Sequence, residues 1–258
     1  MSRIHAWLRR LSPLLVIATV VAIWYLVSRS ANSLFFPPLT DVLVSFRELW
    51  FSATLLDQAL PSFIRAGAGF AIALVGGVVM GTAIGLSPLI RQLTTAQLEF
   101  LRSIPPVLLI PPSLLLLGTG TQMKIAVIAL ASVWPILLAT IDGVRSVETV
   151  RLDSARVFGL GAAGRVRWVV LPTAMPRIWS GVRACVPIVF VVMVAADYYA
   201  SSDGIGYMIS QTATSFRFSE MWASVLLLGI FGAAVNLAVM RAGRWLDHTF
   251  GEFGVRAA

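Results

Sequence analysis

The sequence contains few charged residues and few of the side chains that enzymes use for chemistry. Only 12% of its 258 residues are charged and 58% are hydrophobic, whereas soluble domains carry about 25% charged residues. A single cysteine, Cys185, excludes an internal disulfide, and the two histidines lie near the ends of the chain. The only lysine, Lys124, follows a methionine and precedes an isoleucine, which excludes a phosphate-binding loop of the Gly-Lys-Ser/Thr type. These absences exclude a water-soluble enzyme, ATP hydrolysis by this chain, and a metal or acid–base site built on histidine.

Long uncharged runs are what the sequence has instead. A membrane-spanning helix needs about 20 predominantly apolar residues, and six runs come close to this length. They are Leu11–Ser28, Ala66–Ile90, Ser103–Met123, Ile125–Ile141, Trp179–Ala196 (interrupted by Arg183) and Met221–Met240. The sequence therefore predicts an all-α, polytopic membrane protein with about six transmembrane helices.

Basic residues are spread unevenly over the segments between these runs. Cytoplasmic segments of membrane proteins carry the excess of Lys and Arg. With residues 1–12 placed in the cytoplasm, the inside segments hold fourteen arginines, and the outside segments hold three arginines and Lys124. We therefore expect both termini to be cytoplasmic. The net charge of +8 is then a sign of topology and not of nucleic-acid binding.

Residues 36–52 form an amphipathic segment that is too short and too charged to cross a membrane. After Pro37-Pro38, apolar residues recur at steps of three and four, with Asp41, Arg47 and Glu48 on the other side. Two interpretations remain open: a helix lying at the outer membrane interface, or a loop helix packed on the bundle.

Two of the predicted spans have unusual compositions. In the second run, small residues recur every four positions and allow another helix to approach closely, either within the chain or from a second copy; they are Gly69, Ala73, Gly77, Gly81 and Gly85. In the third run, Pro105-Pro106 and Pro111-Pro112 make a straight helix unexpected. That run is either a helix lining a pathway or a kinked packing helix.

The large inside loop is the most informative segment. Residues 142–183 contain seven arginines, yet two helical stretches fit within them. The first is expected to end at Gly159-Leu160-Gly161, and the second to run from Arg165 to Leu171 and stop at Pro172. A compact helix–turn–helix that is too polar for lipid suits a docking surface for another protein.

This loop resembles the signature of ABC-importer permease subunits. That signature is Glu-Ala-Ala, three residues, Gly, nine residues and Ile-x-Leu-Pro. Here Asp153-Ser154-Ala155, Gly159 and Val169-Val170-Leu171-Pro172 meet the spacing without an insertion, with Asp153, Ser154 and Val169 as substitutions. Further stretches between about Phe36 and Arg241 are similar to the nitrate/sulfonate/taurine-type branch. They are Arg102–Pro106, Ile110-Pro111, Gly118–Gly120, Lys124-Ile125, Arg145–Val147, Ala155–Gly159 and Asp203–Tyr207.

The resemblance implies a type I importer-like architecture, with a core transport domain at 60–241 and a coupling loop at 142–178. The chain would be the permease of a bacterial cytoplasmic membrane importer for a small solute such as a sulfonate, taurine, nitrate or a similar organic anion. Its implied partners are two ATPase subunits, which bind ATP and magnesium, an external binding protein, and a second permease copy in a homodimer. The alternative is an ATP-independent secondary transporter or channel.

Functional residues are implied at two places. Ser146–Leu160 would form the coupling helix, and the residues implied at its ATPase contact are Asp153, Ser154, Ala155, Gly159, Leu160 and Gly161. For the substrate path the candidates are Asp197, Tyr198, Trp134 and Gln122, with Thr119 as a further one. Asp197 is expected near the outer end of the fifth span, where water could solvate it, and intramembrane acids commonly serve function. We expect no catalytic or metal-binding residue and no cofactor in this chain.

Overall fold

The structure, a computed structural model, describes residues 15–16, 18–28, 33–199 and 201–250, with side chains up to residue 246. Every regular element in these ranges is a helix, which confirms the predicted fold class. The helices are α1 (Ala18–Ser28), α2 (Leu39–Trp50), α3 (Leu60–Leu86), α4 (Pro88–Ser103), α5 (Ile110–Leu117), α6 (Thr121–Arg145), α7 (Thr149–Val157), α8 (Ala162–Arg165), α9 (Leu171–Tyr199), α10 (Ile205–Thr214) and α11 (Phe218–Phe250).

Four continuous helical stretches are long and apolar enough to cross a membrane. They are Leu55–Leu86, Thr121–Arg145, Ala162–Tyr199 and Phe218–Leu246. A fifth candidate is the pair formed by α4 and Pro106–Leu117, which is bent by 94°. The first predicted run lies partly outside the described residues, and its described part is the short apolar helix α1.

The third predicted run, Ser103–Met123, is wrong as a single span. The chain bends sharply after Ser103 and passes through a 3-10 turn at Pro106–Leu109 before α5 begins. Pro111-Pro112 lies in the first turn of α5, where the missing amide donors have no partner within the helix anyway. This proline pair therefore starts a helix, and the break lies at the earlier pair.

The predicted stop at Pro172 is also wrong, because the helix is continuous from Ala162 to Tyr199. A π-helical turn, Val166–Val170, immediately precedes Leu171-Pro172, and a second one, Leu55–Ala59, precedes Leu60-Pro61. In a regular α-helix, proline clashes with the carbonyl four residues before it. The wider π turn relieves that clash and lets both spans run through a proline.

The core of the bundle is α6 with α3 on one side and α9 on the other. A Cβ atom added to Gly69, Gly77 or Gly85 of α3 would lie within 2.6–2.9 Å of α6 side-chain atoms. The ladder of small residues therefore packs on α6 of the same chain, which decides between the two alternatives. On the other side, a Cβ added to Gly181 of α9 would lie 2.6 Å from the Cβ of Ala139.

The amphipathic helix α2 lies against α11. Val42 and Trp50 are buried, and the Trp50 indole donates a hydrogen bond of 3.3 Å to the Ala223 carbonyl. Leu43 and Val44 on its other face are exposed. The helix packs on the bundle while presenting an apolar surface outward, so these contacts are compatible with both interpretations of residues 36–52.

Candidate functional site

The helix–turn–helix between α6 and α9 lies at one end of the bundle. Its turn is closed by two backbone hydrogen bonds, from the Gly159 amide to the Arg156 carbonyl (2.9 Å) and from the Leu160 amide to the Ala155 carbonyl (3.0 Å). This is a Schellman motif, which places the residue after the helix cap in the left-handed region. Gly159 has φ +75°, a conformation that glycine adopts without a steric penalty.

The helical part of this segment is shorter than the expected Ser146–Leu160. Ser146 caps α6, and the helix proper is Thr149–Val157. Of the residues implied at an ATPase contact, Ala155 is buried in this subunit and Leu160 is half-buried, whereas the others are exposed: Asp153, Ser154, Gly159 and Gly161. The Asp153 carboxylate pairs with Arg156 at 2.7 Å, and the Ser154 hydroxyl donates to the Val150 carbonyl at 2.9 Å.

Three apolar side chains in α7 and the turn after it are exposed on the surface of the chain. Val150, Val157 and Phe158 are 70%, 86% and 84% exposed. The sequence does not predict that these three side chains are exposed. Exposed apolar side chains grouped beside charged ones are typical of a protein–protein contact.

A cluster of buried charges lies at the opposite end of α3, α6 and α9. The sequence predicts Lys124 in an outer segment and Asp197 within reach of water. The structure corrects both placements, because Lys124 lies in the first turn of α6 and the two side chains are only 2% and 1% exposed. Arg65 lies near the start of α3 and is 7% exposed. Charges buried at this depth require partners.

Asp197 and Asp203 supply those partners. Asp197 accepts a hydrogen bond of 2.5 Å from the Ser62 hydroxyl, and its Oδ1 lies 3.5 Å from Arg65 Nη1 and 3.4 Å from Lys124 Nζ. Asp203 takes a two-pronged contact from Arg65, at 3.0 and 2.6 Å, and a hydrogen bond of 3.0 Å from Lys124 Nζ. The hydrogen bond from the Arg65 guanidinium, with a further one from Lys124, holds the pKa of Asp203 well below its usual range.

The loop that carries Asp203 is fastened to the same helices. The Gly204 amide donates to Gln58 Oε1 (2.8 Å), and the Ile205 amide donates to the Ser62 hydroxyl (3.0 Å). Gly204 has φ +107°, and a Cβ atom there would collide with the Asp197 carboxylate. Both its backbone conformation and the close approach therefore require glycine.

The four candidates for a substrate path do not converge on one place. Asp197 belongs to the charge cluster, and Trp134 is half-buried in the core between the spans. Gln122, like Thr119, is exposed near the start of α6. Tyr198 lines an apolar groove of about 810 Å³ between α9 and α11, together with Tyr199, Phe190, Gly229, Gly232 and Asn236.

Known proteins similar to this chain are membrane components of transporters. The family model described as "Binding-protein-dependent transport system inner membrane component" matches residues 73–251. The taurine transport system permease of Escherichia coli is 28% identical over 92% of this chain and 88% of its own length. A putative aliphatic sulfonates transport permease of Bacillus subtilis is 27% identical, covering 88% and 82%. A bicarbonate transport system permease of Synechococcus elongatus is 30% identical, covering 74% and 69%.

Solved structures show the same fold at lower identity. A chain of a methionine ABC transporter in an inward-facing conformation superposes with a TM-score of 0.56 at 20% identity, over 80% of this chain and 96% of that one. A chain of a bacterial alginate ABC transporter, solved in complex with a periplasmic protein that holds an alginate pentasaccharide, gives 0.61 at 14% identity, over 98% and 100%.

Proposed function

Because this chain belongs to the family of binding-protein-dependent transport system inner membrane components, it is the multi-pass permease subunit of an ABC importer, and we propose that it carries a small solute with an oxyanion group. The relatives named for taurine and aliphatic sulfonates support this proposal, since both kinds of solute carry a sulfonate. The relative named for bicarbonate adds a second oxyanion. The chain is a transport component and not an enzyme, and ATP hydrolysis belongs to a separate chain. The family thus favours an importer over an ATP-independent transporter or channel.

We place α7 against the ATPase subunit on the cytoplasmic side of the bacterial inner membrane, with both termini on that side. The observation that supports this placement most directly is the exposed apolar tip formed by Val150, Val157 and Phe158 beside the rigid turn at Gly159. The excess of arginine in residues 142–183 points the same way. Two ATPase subunits would bind ATP and magnesium, so that this chain needs no cofactor of its own.

We further propose that the transport pathway lies between two identical permease copies. The support is the low burial of α11, the least buried of the four long spans. Gly229, Gly232 and Asn236 of α11 line the open groove against α9. Small residues and an amide side chain are what membrane helices use to pack against one another.

The solute is tested by reconstitution. The permease, its ATPase and its binding protein are placed in proteoliposomes, and ATP-dependent uptake of labelled taurine and ethanesulfonate is measured. We expect uptake of at least one of them, competed by the other and not by a neutral amino acid amide. An ATP-driven complex that ignores both sulfonates and bicarbonate, but imports a neutral or cationic solute, would refute the solute class.

The ATPase contact is tested with Phe158→Ser. Loss of a buried aromatic anchor costs about 2 kcal/mol or more at an interface, so we expect at least a tenfold weaker association with the ATPase and an unchanged melting temperature of the isolated permease. Val44→Ser on α2, which also removes an exposed apolar side chain, is the matched control and should leave association unchanged. Equal association of Phe158→Ser and the unmodified chain would remove α7 from this contact.

A further inference from the structure

The charge cluster is unevenly buried, and its cations are deeper than one of its anions. The side chains of Arg65 and Lys124 are 9% and 3% exposed, and that of Asp197 is 2% exposed. The side chain of Asp203 is 35% exposed. The three buried side chains, Arg65, Lys124 and Asp197, would by themselves carry a net charge of +1. A carboxylate from a surface loop supplies the missing negative charge.

The way in which Asp203 is held is not specific to an aspartate. Two guanidinium nitrogens, at 3.0 and 2.6 Å, and one ammonium nitrogen, at 3.0 Å, converge on its carboxylate. The planar fork of arginine matches carboxylate, sulfonate and phosphate oxygens alike, and a lysine ammonium adds a donor without a directional requirement. Any small oxyanion that reached Arg65 and Lys124 would find the same three donors.

The attachment of the loop leaves room for such an exchange. The amides of Gly204 and Ile205 are bound to Gln58 and Ser62, independently of the Asp203 side chain. The Asp203 carboxylate also accepts a hydrogen bond of 2.8 Å from the Ser201 hydroxyl, but that residue belongs to the same loop and can move with it. The carboxylate can therefore swing out while the root of the loop stays in place, and the exposed side of Asp203 can be solvated by water as it leaves. Release by protonation is excluded near neutral pH, since the two cations keep the pKa of Asp203 below its usual range.

The position of the cluster is the one where a solute would first meet the permease. Lys124 lies in the first turn of α6, and α6 ends at Arg145, just before α7. The cluster and α7 are thus at opposite ends of the bundle. If α7 contacts the ATPase, the cluster lies on the side where a binding protein releases its cargo.

We propose that Arg65 and Lys124 form an oxyanion-binding pair whose resting occupant is the Asp203 carboxylate, and that the oxyanion group of the solute displaces this carboxylate on entry. This inference rests on the proposed function for its solute class. A tethered group on a short linker has an effective concentration on the order of millimolar. Dilute ions therefore leave the pair closed, whereas a docked binding protein supplies solute at a comparable local concentration.

The first test removes the resting occupant. The assembled importer carrying Asp203→Ala is melted in detergent with sodium ethanesulfonate up to about 100 mM, which would also exceed the millimolar effective concentration of the tethered carboxylate in the unmodified chain, and with sodium chloride at matched ionic strength. We expect a lowered melting temperature that ethanesulfonate restores by several degrees and chloride does not. Asp57→Ala, which removes an exposed carboxylate beside Gln58, should show neither effect. Adding Lys124→Gln to Asp203→Ala should abolish the response to ethanesulfonate.

The second test examines the resting chain. A spin label is placed on the exposed residue 202 through Ser202→Cys, in a Cys185→Ser background that removes the native thiol. We expect ethanesulfonate or taurine to increase the mobility of the label, and chloride to leave it unchanged.

If Asp203→Ala does not assemble, Asp203→Asn, which keeps the side-chain volume, replaces it in the melting experiment.

The outcomes separate this inference from the proposed function. Sulfonate uptake by an importer whose Asp203→Ala variant responds equally to ethanesulfonate and chloride would overturn the exchange and leave the function intact. A response of the variant with an immobile label in the resting chain would also overturn it, because Asp203 would then be a permanent member of the cluster. Selective responses in both tests, in a complex that imports no oxyanion, would support the binding pair and refute the solute class.

Discussion

Gly81 of α3 lies directly on Thr140 of α6, so closely that a Cβ atom on the glycine would be 2.6 Å from the Thr140 Cβ and 2.8 Å from the carbonyl oxygen of Leu137. Gly181 makes the equivalent approach from α9, where an added Cβ would lie 2.7 Å from the carbonyl oxygen of Pro135. Membrane helices are held together by such close backbone packing, because lipid provides no hydrophobic driving force between them. The three helices therefore pack as one closely fitted unit.

We expect Gly81→Ala to destabilise this unit, since its methyl group has no room. Overpacking a tight contact costs about 1–3 kcal/mol, which should lower the melting temperature of the purified permease by several degrees. Gly67→Ala is the matched control on the same helix, because a Cβ atom there meets nothing within 4 Å. Equal melting temperatures for the two variants would contradict the tight packing of α3 on α6.

The sequence alone was sufficient to predict the four continuous long spans and the face of α3 that packs, because apolar run length and the four-residue spacing of small residues are local properties. It could not identify the helix that receives this face, because the receiving side chains, Ile128, Ile136, Thr140 and Val144, are of residue types common to every apolar span. The continuous helix through Pro172 was also missed. The π turn at Val166–Val170 lets the helix continue through the proline, and no sequence pattern predicts that turn.

The charge cluster shows the same limit at the level of the site. Arg65 and Asp203 are 138 positions apart, and Lys124 and Asp203 are 79 apart, so no spacing rule connects them. The one available signal was that a lysine, an arginine and two acids adjoin the ends of otherwise uncharged runs. Charged side chains near membrane depth are more stable when they pair with one another than when they face lipid. Pairing these four residues on that ground would have predicted the cluster.

We expect Gly159→Val to preserve insertion and folding of the bundle but to weaken ATP-driven uptake. A Cβ atom at this position meets nothing within 4 Å, so the cost comes from the left-handed backbone at φ +75° alone. For a residue with a Cβ this conformation costs about 1–2 kcal/mol, and a β-branched side chain is further restricted. Uptake and ATPase stimulation in proteoliposomes measure the effect. Gly159→Asn should retain more activity, because asparagine tolerates this region; unchanged uptake by Gly159→Val would refute a coupling role for the turn.

The pH dependence of stability should identify Asp203 as a permanently ionised partner. Its pKa is lowered in the folded state from the ordinary value of 3.8, so its stabilising effect is complete above that pH and is lost as the pH falls further. We expect the melting temperatures of the unmodified permease and of Asp203→Asn to differ by a constant amount between about pH 5 and 8. The difference should shrink only below 3.8. A difference that already changes around pH 6 would contradict the two-cation environment of this carboxylate.

Asp197→Asn distinguishes a structural acid from one that contacts the solute. The substitution leaves Arg65 and Lys124 with one counter-charge fewer, and breaking a buried ion pair costs about 3–5 kcal/mol. We therefore expect a large loss of melting temperature and of detergent-stable complex. Glu99→Gln, which breaks the exposed pair of Glu99 and Arg102 on α4, should cost about 1 kcal/mol or less. A stable Asp197→Asn importer with a raised KM and an unchanged melting temperature would instead assign Asp197 to the substrate path. That result would show that the Asp197 carboxylate is not needed to stabilise the ends of the three helices.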